Sequence, residues 1–272
     1  MEKACRMNKY LQFFLLELRN GMEYRLNFVT LAIVNFFPVI VNLFLWRAIF
    51  ASNHALTNVV TVNQINGYVI TIQIINLLIQ PCSVEFKILG EIRGGDLSKH
   101  LLKPINYYSY NLMTALSQST TYFLAFTAIG VVLWFVFRGI LITENIIMLL
   151  LFIVSLFAAF VIRFTLSCLF GMLVFFLDDI SQLFMLFSNT LLFLCGFLFP
   201  LSILPDSLLK ICKLFPFYYI GYFPCSIFVG MEAGLQDVLQ GILTSFIWIV
   251  ILITIYNMMW DKGIKKYTAF GG

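Results

Sequence analysis

IIMLLLFIVSLFAAFVIRFTLSCLFGMLVFFL, residues Ile146–Leu177, runs for 32 residues with a single charge, Arg163. A helix rises about 1.5 Å per residue, and the hydrocarbon core of a bilayer is crossed by about 20 apolar residues. This stretch is therefore long enough to cross a membrane with residues to spare. The whole chain has the matching composition: of 272 residues, 61% are hydrophobic and 11% charged. Soluble domains carry about 25% charged residues, so this chain lacks the polar surface that a soluble fold needs. The 17% aromatic content, with 30 Phe and 12 Tyr, suits lipid-facing helices and interfacial belts.

Working outward, apolar stretches at residues 26–50, 65–84, 112–137, 180–199 and 238–260 add five more expected spans, making six. Asp178-Asp179 separates the fourth from the fifth. With the N-terminus inside, thirteen Lys and Arg fall on the cytoplasmic side. Four (Arg47, Arg138, Lys210 and Lys213) fall outside. That bias follows the positive-inside rule and puts both termini in the cytoplasm. The apolar stretch 11–16 is too short for a signal peptide and is followed by Glu17 and Arg19.

Three segments are expected not to span. Residues 7–25 read as an amphipathic interfacial helix, with Leu11, Phe14, Leu18 and Met22 opposite Lys9, Gln12, Arg19 and Glu23. The alternative is a polar extension of the first span. Residues 85–111 form a cytoplasmic loop, in which Gly94-Gly95 breaks the chain and Asp96 can cap two turns over 97–103 before Pro104. Residues 200–237 hold Pro200, Pro205, Pro216 and Pro224, and Asp206 can cap a helix through Leu214. Short apolar helices interrupted by Pro and Gly suit a re-entrant element buried in protein or lining a cavity. The expected fold is all-α and integral to the membrane, one domain over 1–272.

The chemistry is sparse. The two histidines, His54 and His100, fall outside the spans, so a membrane haem protein is not expected. The six cysteines show neither CxxC nor metal-ligand spacing, and no metal site is expected. Cys212 and Cys225 are left as a conceivable outer pair. A P-loop needs GxxxxGK[ST], and the nearest stretch, Gly90–Lys99, lacks its Gly-Lys-Ser/Thr end. ATP is not expected to bind this chain in that manner.

Polar residues within the spans are amides. Asn35 and Asn42 lie seven apart in the first span. Asn66, Gln73 and Gln80 repeat every seven residues in the second, beside Asn76, and Gln182, Asn189 and Gly196 repeat likewise in the fifth. Such a period keeps each set on one helix face. Interhelical hydrogen bonding and the lining of a path for an amphiphile both account for it. Arg163 reads either as an intramembrane functional charge or as a side chain snorkelling to the inner headgroups. Carboxylates cluster at span ends (Glu85, Glu91, Asp96, Glu144, Asp178, Asp179, Asp206), which argues against an ion-coupled carrier.

Two stretches carry a family resemblance. Gly90–Tyr110, GEIRGGDLSKHLLKPINYYSY, resembles the I-R-x-G-x-L-x-x-x-L-L-x-P cytoplasmic signature of ABC-2 type permeases, the membrane subunits of ATP-binding cassette exporters. Phe176–Gly230, where FLDDISQLF leads into GFLFPLSILP and then LFPFYYIGYFPCSIFVG, resembles their G-x-x-x-P-x-x-x-x-P … P-F … P … G run. The likeness is to the short, six-span, stand-alone branch and extends over nearly the whole chain.

The resemblance implies that residues 97–103 and their lead-in form a coupling helix on a separate ATPase, with Arg93, Gly94, Asp96, Leu97, Lys99, His100 and Leu101 at the contact. It implies outer re-entrant helices that gate exit, carrying Pro200, Pro205, Phe217 and Tyr218. It places the first, second and fifth spans near the path, which would be lined by Asn35, Asn42, Asn66, Gln73, Asn76, Gln80, Gln182 and Asn189. Two permeases, identical or related, would pair above an ATPase dimer in the cytoplasmic membrane of a prokaryote, surrounded by lipid. The chain would not itself be an enzyme; ATP and magnesium would belong to the partner, and nucleic acid is not an expected ligand. A non-transport scaffold or immunity protein is the alternative, and a lipid-modifying enzyme is disfavoured by the lack of a His/Asp or Cys/His constellation.

Overall fold

A computed structural model describes residues 2–23, 37–49, 62–80, 83–136, 145–177, 180–231 and 234–267. Among them every regular element is helical, with no strand. In chain order the helices are α1 (Glu2–Glu23), α2 (Phe37–Ile49), α3 (Val62–Ile79), α4 (Glu85–Arg93), α5 (Leu97–Leu101) and α6 (Tyr107–Val136). They continue with α7 (Ile146–Met172), α8 (Ser181–Leu194), α9 (Asp206–Leu214), α10 (Tyr222–Val229) and α11 (Leu235–Lys266).

Among the described residues two helices are long and apolar enough to cross a bilayer: α7 with its 3₁₀ extension, Ile146–Phe175, and α11, of 30 and 32 residues. Of the other four expected spans, α2 and α6 fill the described parts of the first and third, whereas α3 and α8 stop short of the expected ends of the second and fifth. Residues 24–36 of the first span's surroundings lie outside the described residues.

Two boundaries differ from the sequence reading. The second span was expected to reach Val84, but α3 ends at Ile79. Pro81 has no N–H to continue the ladder. The fifth was expected to reach Phe199, but α8 ends at Leu194, and Gly196 adopts φ +78° in the turn that follows. That left-handed conformation is the one glycine tolerates.

α7 is the central pillar. Asn145 caps it, its side-chain oxygen accepting from the Ile147 N–H at 2.9 Å. Its first half exposes Ile146, Ile147, Leu150, Ile153 and Phe157, whereas from Ala158 onward most side chains are buried. That second half is surrounded by α11, α4 and α10. A glycine lets one of these approach closely: a Cβ at Gly171 would stand 2.9 Å from Ile88 Cβ of α4.

The N-terminal helix α1 packs along α6. Phe13 meets Tyr110 with ring centroids 4.7 Å apart, and Ser117 donates to the Phe14 carbonyl at 3.2 Å. The expected apolar face is divided as a result. Phe14 and Leu18 are half-buried, while Leu11, Leu15 and Leu16 stand exposed. Met22's side chain lies outside the described residues.

The segment after α8 is built of four short pieces: α9, α10 and two 3₁₀ turns, Leu201–Ile203 and Pro216–Tyr219. Asp206 is the first residue of α9 rather than its cap, a position Pro205 takes. Its carboxylate still faces the favourable end of the helix dipole. Tyr222–Ile227 of α10 are all buried, packed on α3 and α7. α10 ends at Gly230 (φ +71°), with Met231 N donating to the Ser226 carbonyl at 2.9 Å, a Schellman closure.

Candidate functional site

The cytoplasmic-loop expectation resolves into a hairpin, α4 and α5, packed on α7 and joined through Glu91 to Tyr107 at the start of α6. Glu91 is its hub: its carboxylate accepts from Tyr107 Oη at 2.5 Å and faces Lys87 Nζ at 3.9 Å and His100 Nε2 at 3.7 Å. Tyr107 in turn stacks on Trp260 of α11, centroids 5.0 Å apart. His100 sits on α5 against the rings of Tyr107 and Tyr110. Burial holds His100 below the ordinary histidine range, against the pull of Glu91, and burial likewise lowers Lys87.

The tip of the hairpin departs from expectation in three ways. α5 is five residues long, not the two turns over 97–103. Asp96 does not cap it: its backbone is already helical (φ −66°), so its carboxylate bonds Lys99 Nζ at 2.6 Å instead. That bond and the neighbouring ammonium lower the Asp96 pKa, and the same bond and the neighbouring carboxylate raise that of Lys99. Leu97 and Leu101 do not present a common outer face either. Leu97 is fully buried in the main core, and Leu101 is 44% exposed. Leu102, absent from the expected contact set, is 87% exposed. The outward-facing residues at the tip are thus Arg93, Gly94, Asp96, Lys99, Leu101 and Leu102.

Behind the hairpin lies the one charge of the apolar stretch 146–177. Arg163 is buried, and it neither reaches the surface nor stands alone. Its guanidinium donates to Ser167 and, at 2.7 Å, to Ser83. It lies 3.7 Å from Glu85 Oε1 and 5.2 Å from the centre of the Phe187 ring. Glu85 is itself 1% exposed, and its other oxygen has no hydrogen-bond partner among the described residues. The sequence reading had placed Glu85 among the span-end acids and did not single out Ser83. No local pattern connects either to Arg163, since Ser83 and Arg163 are 80 positions apart.

The amide stripes scatter. Asn76 and Gln80 join Ser83, Arg163 and Ser188 in the wall of a cavity of about 280 Å³, whose remaining wall is apolar. Asn66 is buried with its side-chain oxygen unpartnered among the described residues, and Gln73 is half-buried. Asn42 turns back on its own helix, donating to the Pro38 carbonyl at 3.0 Å. Gln182 and Asn189 are exposed, and Asn35 lies outside the described residues.

Of the outer residues, Tyr218 is buried against Tyr219, Tyr222 and Phe223. It also borders a second cavity of about 350 Å³ with Lys210, Lys213 and Asp237. Pro200 is buried, Pro205 exposed and Phe217 half-buried. Cys212 and Cys225 are both free thiols, and Cys225 donates to the Tyr68 carbonyl at 3.7 Å.

No curated protein matches the chain significantly. The sequence profile of the family described as ABC-2 family transporter protein does match it, over residues 36–271. That range takes in both signature stretches, the hairpin, the Arg163 cluster and the outer helices. The chain belongs to the ABC-2 family of transporters, as a membrane permease component.

Proposed function

We propose that the chain is half of the membrane pathway of an ATP-driven exporter for an amphiphilic molecule, powered by a separate ATPase dimer that docks on the α4–α5 hairpin. The observation that carries this is the hairpin's construction. An exposed tip of mixed charge and leucine, at Arg93, Asp96, Lys99, Leu101 and Leu102, is fixed by a buried base to α7 and, through Glu91 and Tyr107, to the start of α6. A rigid base is what transmits a push from a docked partner into membrane helices, since packed elements move as units.

In this reading the chain crosses the cytoplasmic membrane of a prokaryote six times, with both ends inside. The hairpin and the Lys262, Lys265 and Lys266 end of α11 share the cytoplasmic side; contacts of Tyr107 with Trp260 and of Lys266 with the Phe176 ring support that grouping. The exposed leucines of α1 rest in the interface, and α9 and α10 form the outer re-entrant gate. Two permeases, identical or related, face each other, and ATP and magnesium are held by the partner.

The test is reconstitution of the purified chain with its ATPase in lipid. ATPase activity is expected to rise over that of the ATPase alone, and Leu101→Asp with Leu102→Asp to abolish the rise. Stable ATP hydrolysis by this chain alone, or no response to any cognate ATPase, would overturn the reading; the second result would favour a non-transport scaffold or immunity protein.

A further inference from the structure

We infer that the cavity beside Arg163 binds the anionic headgroup of an amphiphile, and that this headgroup competes with Glu85 for the guanidinium. The inference rests on the proposed export of an amphiphile and narrows its chemical class.

The cavity's lining is of two kinds: Arg163, Ser83, Ser188, Asn76 and Gln80 are polar, and Ile79, Leu191, Leu192 and Phe197 are apolar. A guanidinium with hydroxyl and amide donors in the same cavity is the donor set that holds a phosphate or carboxylate, and the apolar side chains among them suit an acyl chain. The volume of about 280 Å³ admits a headgroup and the first part of a chain, with the remainder extending outside. Ser83, which the guanidinium bonds, is a wall residue, so the charge stands at the wall.

Arg163 is also incompletely matched by its internal counter-ion. The 3.7 Å separation from Glu85 exceeds hydrogen-bonding distance, and the second Glu85 oxygen is buried without a partner. A buried pair joined by charge alone recovers little of its desolvation cost. An anion that hydrogen-bonds the guanidinium directly therefore replaces a weak partner with a better one. Because Glu85 opens α4, occupancy of the cavity is reported at the base of the hairpin.

The test measures binding to the purified full-length chain in detergent by native mass spectrometry, without an ATPase. Probes are phosphatidylglycerol, phosphatidylcholine with the same acyl chains, and glycerol 1-phosphate. Phosphatidylglycerol is expected to bind at least tenfold tighter than phosphatidylcholine. Arg163→Gln is expected to erase that preference. Glu85→Gln is expected to raise phosphatidylglycerol affinity several-fold, because the internal competitor is gone. The opposite signs separate ligand binding from simple damage to the fold, and Glu85→Gln decides the matter even if Arg163→Gln does not fold. Equal binding of the two lipids, or weaker phosphatidylglycerol binding in Glu85→Gln, would overturn the inference. Glycerol 1-phosphate binding as tightly as the lipid would assign the site to a soluble anion and overturn the amphiphile. Headgroup-selective binding without ATPase stimulation would count against the proposed export while leaving this site intact.

Discussion

The Tyr68 hydroxyl donates a 2.6 Å hydrogen bond to the carbonyl of Gly196, joining α3 to the turn that ends α8 across 128 positions. Gly196 has φ +78°, and a Cβ there would stand 2.6 Å from the same hydroxyl. Gly196→Ala therefore meets two penalties, about 1–2 kcal/mol for the left-handed backbone and a steric clash besides. Tyr68→Phe loses only the hydrogen bond, worth about 1 kcal/mol plus the unpartnered carbonyl. In thermal melts of the purified chain, Gly196→Ala is expected to lower the midpoint more than Tyr68→Phe. The double variant should lose less than the sum, because removing the hydroxyl removes the clashing atom.

The two leucines of α5 are expected to separate folding from coupling. Leu97 is fully buried, so Leu97→Asp places a carboxylate in the core and should prevent stable folding or cost several kcal/mol, about 3 or more. Leu101→Asp and Leu102→Asp change exposed positions and should leave the melting midpoint within about 0.5 kcal/mol of the parent. Size-exclusion profiles and melts check the first half, and ATPase stimulation by the partner checks the second. A stable, monodisperse Leu97→Asp protein would contradict the burial.

Removing Arg163 alone leaves the buried Glu85 without its counter-ion. Arg163→Met is expected to cost about 3–5 kcal/mol, the range for breaking one side of a buried pair. Arg163→Met with Glu85→Met should be more stable than Arg163→Met alone, since neither charge then lacks its partner. Chemical or thermal unfolding of the three proteins in one detergent decides this.

A pH dependence follows from His100. Its folded pKa is lowered by burial, so the folded state takes up its proton less readily than the unfolded state. Above the ordinary histidine range both states are neutral and His100 contributes nothing to the slope. As pH falls through about 6.5 and below, the unfolded state binds the proton first, and stability drops. The melting midpoint should therefore fall between pH 7.5 and 5.5, and less so in His100→Gln. An identical decline in both proteins would remove His100 as the cause.

Much of the architecture was legible because a membrane restricts the choices. Without water to satisfy backbone groups, apolar stretches such as Ile146–Leu177 become helices, and composition alone reports them. α7 accordingly begins where expected, at Ile146, with Asn145 as its cap. Helix ends were less legible where a turn depends on distant partners. Gly196 turns the chain with φ +78°, at a place where Tyr68 and Tyr222 leave no room for a Cβ. At the candidate site, the exposed tip could be read from its motif, but the division between Leu97 and Leu101 could not. Both leucines fit the same helical spacing, and only packing against the core makes one internal.

The sequence by itself determined that this is an all-helical membrane chain with the two signature stretches of its family, because hydropathy and motif spacing are local properties. Tertiary structure alone decided the surroundings of Arg163. The opening stretch shows one charge in an apolar run and leaves it equally readable as a snorkelling or a functional residue. The fold surrounds it with Ser83, Glu85 and Ser167, since the residues just before α4, the start of α4 and α7 itself meet there. Counter-ions of a buried charge are chosen by proximity in space, and no local periodicity records a partner some eighty positions away.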